Sequence, residues 1–294
     1  TGIGPQRMGR VDVLPQHPVE FVRIADELVL AEPTLELSLH TEVLSVKREG
    51  EVWNIRAGGR GGERSLSVKA LVDASGDAVI AGFLGGGSEV TESPRLQRPA
   101  YVFGVQGIGE FGDAQRLETA GWIVAGVRKG ELPAAAMGLS FRGSGRKGEV
   151  FGSLDLTGAE AAAGYDPLDA ACLTLLEMEG RQIATQVMRY LREQAEIWRN
   201  SYVSHWPVRA GVRESRRWLG EQVLTGDDLL QGKRFQDEVA LATWPMEFRE
   251  TAKGPKLRYP EGNRPAGIPL GCLKPRNTEG LWIAGRCIST DHDA

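Results

Sequence analysis

Two apolar runs that end in small residues constrain this chain more than any other feature. In "LSVKALVDASGD" an alternating strand becomes continuously apolar at Ala70-Leu71-Val72, then breaks into small residues, Gly76 and Asp77. In "GLWIAGR", close to the other end of the sequence, Leu281 to Ala284 run in the same way into Gly285 and Arg286. A continuously apolar strand suits a sheet covered on both faces. Ligands of open α/β sheets sit at the carboxyl ends of such strands, where small residues let them approach the backbone. Arg286 can meet an anionic group there. Each run also has a plainer reading: a β-to-α turn with Asp77 as helix cap, and a strand end with a solvated Arg. Two such ends in one core favour a shared ligand crevice.

A chain of 294 residues is long enough for one large or two medium domains. A net charge of −4, with no long run of one sign, argues against a nucleic-acid or anionic-membrane partner. No stretch approaches the ~20 apolar residues of a membrane span. Cys172, Cys272 and Cys287 lack metal or disulfide-scaffold spacing and read as buried or free thiols of a reducing, cytoplasmic compartment. The four histidines, His17, His40, His205 and His292, show no metal spacing, so no metal is expected. His40 reads as structural within a strand, and His205, beside Trp206, as able to contribute to a pocket.

The pattern along the chain predicts a helix after Pro18, an alternating strand at Leu35-Leu37-Leu39, a β-hairpin around "GGRGGE", and the buried strand at Leu71. The middle differs. It predicts a strand from Ala100 to Ile108, a helix from Asp113 to about Lys129, and a strand pair joined by "GSGRKG". A long helix follows from Asp166 to about Trp198, with Leu168, Cys172, Leu175, Ile183, Val187 and Leu191 near one face. Gly180 inside it costs about 1 kcal/mol against Ala. Two pieces of α/β sequence therefore flank an α+β insertion. The expected division is 1–95 with 258–294, interrupted by 96–257.

A third stretch, "RAGVRESRRWLG", sets Arg209, Arg213, Arg216 and Arg217 around Glu214. Such guanidinium groups can hold a phosphate, a substrate carboxylate or an electron-rich ring edge, or they can form a structural salt-bridge network. No Walker loop, no GxSxG elbow and no GxGxxG turn after a strand is expected.

These three stretches, in this order, resemble the FAD-dependent oxidoreductases of the glutathione-reductase-like flavoprotein superfamily. "LVDASGD" resembles that family's "DATGD" segment, "GVRESRR" its Arg-rich hallmark, and "AGRCISTDHDA" its "AGRCIS…HEA" segment. The resemblance implies an α/β fold: a partial Rossmann-like FAD-binding domain with an inserted α+β substrate domain. It implies that Asp73, Ser75, Gly76, Asp77, Gly285 and Arg286 belong to a flavin site. Arg213, Glu214 and Arg216 would form a flavin- or substrate-facing cluster. The implied activity is transfer of a hydride or electrons between a small-molecule substrate and FAD. The family's opening strand–GxGxxG–helix unit and its closing flavin-facing helix do not occur in these residues. FAD binding by this chain is accordingly expected to be impaired. The alternative is a non-catalytic binding or interaction module derived from a flavoenzyme.

Overall fold

The computed structural model describes residues 4–92, 95–156, 165–249 and 254–294. It is a mixed α/β structure with two compact units. The first comprises Thr1–Val90, Arg216–Met246 and Arg258–Ala294; the second comprises Thr91–Ser215 and Glu247–Leu257. The sequence-based division differs: the first break falls after Val90 rather than 95, and 216–246 pack with the outer segments. Strand pairing explains this, because Arg216–Trp218 lies antiparallel to Ser88–Val90.

In the first unit, Pro18–Leu30 is a helix with Pro18 in its first turn, and His17 Nδ1 accepts from the Val19 amide. Glu42–Glu49, Val52–Gly59 and Gly62–Val68 form an antiparallel three-stranded sheet. The alternation at Leu35-Leu37-Leu39 does not produce a strand; these side chains are exposed, and His40 takes a left-handed turn conformation at φ 53°. Alternation makes a strand only where a neighbour accepts its hydrogen bonds, and no described strand does so here. Leu71–Asp73 pairs in parallel with Leu281–Ile283, uniting the two runs from opposite parts of the sequence. One face of this pair is buried, through Asp73, Leu281 and Ile283. The register partners Val72 and Trp282 are exposed, so the expected cover on both faces is present on one. Trp53, Ile80, Ala81, Trp218, Leu281, Ile283 and Cys287 share a core.

The second unit is a four-stranded antiparallel sheet in the order Tyr202–His205, Ala100–Gln106, Glu149–Asp155, Leu139–Gly143. Helices Asp113–Arg128 and Ala170–Gln194 contribute to its core. Asp169 caps the longer helix by accepting from the Cys172 amide at 2.8 Å. Its buried face is Leu176, Gly180, Ile183, Ala184, Val187, Met188 and Leu191; Leu175 points to solvent. Trp198 is fully buried just beyond it and donates to Thr119 Oγ1 at 3.2 Å.

One string in this unit does have the GxGxxG spacing between a strand and a helix: Gly107 to Gly112. Its context differs from a dinucleotide turn, since the preceding strand runs antiparallel to both neighbours. Gly107, at φ 77°, lies against the Asn200 carbonyl, and the Gly112 amide is already bonded to Gln115 Oε1 at 3.1 Å. Asp113 places a carboxylate in the helix's first turn, which disfavours a second anion.

Candidate functional site

The parallel strands Leu71–Asp73 and Leu281–Ile283 end together, and the turns that follow them meet. Asp73 organises the first turn from inside. Its Oδ1 accepts from the Ser75 amide at 3.1 Å and the Ser75 hydroxyl at 2.6 Å. Its Oδ2 accepts from the Ile80 amide at 3.1 Å and from Trp218 Nε1 at 3.0 Å. Ser75 Oγ in turn accepts from the Asp77 and Val79 amides. Asp73 and Ser75 thus meet the needs of the helix Val79–Leu84, and Asp77 does not serve as its cap.

The Asp77 carboxylate instead accepts from Arg286 Nη2 at 2.7 Å, joining the two turns. Gly76, at φ 77°, sits under that guanidinium, where a side chain would press on Arg286. Gly285, also at φ 77°, has no heavy atom within 4 Å of where a Cβ would stand. The backbone there opens to a ligand. Asp73, Ser75, Gly76, Asp77, Gly285 and Arg286 are therefore brought together.

The Arg-rich stretch divides. Arg216 donates from Nε to the Asp77 carbonyl at 3.2 Å, alongside the first group. Arg217 bonds the Thr290 carbonyl and Glu89. Arg213 and Glu214 serve the second unit. Arg213 Nε donates to the Arg98 carbonyl at 2.9 Å, and its Nη2 lies 3.3 Å from Asp155 Oδ1. Arg249 Nη1 reaches the other Asp155 oxygen at 2.5 Å, and its Nε reaches Glu247 Oε1 at 2.5 Å. Glu214 accepts from the Thr91 hydroxyl at 2.5 Å and the Gln97 amide at 3.1 Å. Burial first, then the neighbouring Arg249 charge, pulls the Arg213 guanidinium below its ordinary value. Around Asp155, two guanidinium groups face two carboxylates, which is the balance of a structural network. Asp155 and Arg249 carry no motif of their own, and sequence reading does not find them.

The family model described as FAD dependent oxidoreductase matches residues 3–294. The chain belongs to that family. A comparison with curated proteins finds no match. Among solved structures, the chain is similar to the p-nitrophenol 4-monooxygenase PnpA of Pseudomonas putida DLL-E4, at 12% identity and TM-score 0.39, covering 69% of this chain and 44% of that one. It is similar to the anhydrotetracycline hydroxylase OxyS of Streptomyces rimosus at 12% identity and TM-score 0.36, covering 71% and 35%. It is also similar to CabE, an aromatic hydroxylase from angucycline biosynthesis, at 13% identity and TM-score 0.35, covering 62% and 30%. The chain spans less than half the length of these structures.

The remaining polar candidates lie elsewhere in this family member. The His205 ring rests on Gly104, edge-on to Phe151 at 5.7 Å, and Trp206 packs on Tyr101 and Phe103. Among the described residues, no group of three His, Cys, Asp or Glu side chains can hold a metal ion, and no helix is long and apolar enough to cross a membrane. All three cysteines are free, with Cys272 and Cys287 buried and Cys172 half-buried. Burial pushes the Cys272 thiol up to about 11 and raises Cys287 as well. A thiol reagent at pH ~8 is expected to modify Cys172 alone in the native chain, because the thiolate is the reactive form. Mass spectrometry of the labelled protein checks this; prompt native labelling of Cys272 or Cys287 contradicts it.

Proposed function

We propose that the protein acts as a flavin-dependent oxidoreductase, passing a hydride or electrons between a small-molecule substrate and FAD. Membership of the FAD dependent oxidoreductase family carries this reading. The residues at the joined strand ends fit part of such a cofactor. Gly285 leaves the backbone open, Arg216 offers positive charge, and Arg286, paired with Asp77, ties the two turns together. FAD, when bound, supplies the redox chemistry, and the chain's part is to bind, orient and tune charge. Asp73 and Ser75 hold the shape of the lip, and Asp77, Gly76, Gly285 and Arg286 form its surface. The first unit is then the FAD-binding part and the second the substrate part. One lip supplies the contacts named here, so binding by this lip is expected to be weak.

Titrating the chain with FAD and recording the flavin absorption spectrum tests this. The expected result is a saturable perturbation of the flavin bands with a weak, measurable Kd. An unperturbed spectrum at millimolar protein sinks the flavin reading and favours a non-catalytic module.

A further inference from the structure

Arg213 and Arg217 each have a carboxylate partner, Asp155 and Glu89. Among the described residues, Arg216 has none: it donates to the uncharged Asp77 carbonyl. The side chain is half-buried. Its guanidinium lies against the helix Val79–Leu84 at Gly82, where an added Cβ would stand 3.0 Å from Cζ and closer still to Nη1. Glycine is thus what lets the group lie there. The Asp77 carboxylate is engaged from the other turn, by Arg286. The other nearby carboxylate, Asp73, has both oxygens engaged by uncharged donors. The Arg216 charge therefore stands without a carboxylate of its own at the turn that meets Gly285 and Arg286.

We infer that Arg216 is the anion-binding residue of this lip and that it takes the pyrophosphate of a nucleotide ligand, with Gly82 setting its position. This rests on the flavin reading for the nucleotide and on the geometry for the anion. Planar guanidinium groups bind phosphate oxygens through paired, charge-assisted hydrogen bonds. Trp218, two residues on in the same strand, fixes the turn through Asp73.

Calorimetric titration with inorganic pyrophosphate tests the inference without a flavin. The wild-type chain is expected to bind it, and Arg216→Gln to bind it roughly ten- to a hundredfold more weakly. Gly82→Ala keeps the charge and displaces the guanidinium, so it too should weaken binding. Its melting temperature should be unchanged or raised, because Ala favours a helix over Gly. That opposition of binding and stability is something a merely structural Arg216 would not produce. Equal pyrophosphate affinity in wild type and Arg216→Gln, or no binding by the wild type, overturns the inference. Repeating the FAD titration on Arg216→Gln separates the two claims. A flavin perturbation equal to wild type overturns the Arg216 role and leaves the flavin reading standing. Arg216-dependent pyrophosphate binding with an unperturbed wild-type flavin spectrum supports the role and sinks the flavin reading.

Discussion

Asp155→Ala is expected to lower the stability of the second unit by about 3–5 kcal/mol, the cost of breaking a buried pair by removing one partner. Asp155 is 1% exposed and holds Arg213 on one oxygen and Arg249 on the other. Its removal leaves two partly buried guanidinium groups, of which Arg249 keeps Glu247 and Arg213 keeps a backbone carbonyl. The loss extends beyond the ion pairs. The Arg98 amide donates to the Arg249 carbonyl, the Arg249 amide donates to Gln97 Oε1, and the Gln97 amide donates to Glu214. The segments near Gln97, Arg213 and Arg249 are distant in sequence and converge on this carboxylate. Urea denaturation followed by the fluorescence of Trp198 and its neighbours measures the change. A loss below ~1 kcal/mol would mean that the network is no stronger than exposed surface pairs.

Gly180→Ala is expected to destabilise the same unit by about 2 kcal/mol, the usual range for overpacking. Helix propensity alone predicts the opposite sign, a gain of about 1 kcal/mol for Ala over Gly in a helix interior. The structure reverses it because the Tyr101 ring, fully buried, lies on Gly180: a Cβ there would be 2.5 Å from Cγ and 2.6 Å from Cδ2. Tyr101 is on the strand Ala100–Gln106 and is fully buried, and the contact falls at the root of its ring. Double-mutant analysis with Tyr101→Leu checks the mechanism. With the smaller leucine in place of Tyr101, the core should accept Gly180→Ala with little further loss, so the two changes should couple strongly.

Much of the fold was legible because it depends on local signals. Pro18 before a helical apolar repeat and the glycine-rich hairpin at Gly59–Gly62 act within a few residues, while the long helix starts at Ala170 behind Asp169 rather than at Asp166. The strands at Leu71 and Leu281 were legible for a different reason: an apolar run that stops in small residues marks where a buried strand leaves its sheet. Leu35-Leu37-Leu39 shows the limit of periodicity, since alternation states which face a residue takes and not whether a partner strand is present.

By itself, the sequence determined which residues are small enough to leave room at the strand ends, for the Arg286 guanidinium at Gly76 and for open space at Gly285, and which carry charge near them. Only the tertiary structure decided how the Arg-rich stretch is used. Four neighbouring residues look like one cluster in the sequence, yet Arg213 and Glu214 bond within one unit and Arg216 and Arg217 within the other. The physical reason is that a guanidinium's role is set by the partner it meets. Those partners, Asp155, the Arg98 carbonyl, Asp77 and Glu89, lie far along the chain, where no local pattern marks them.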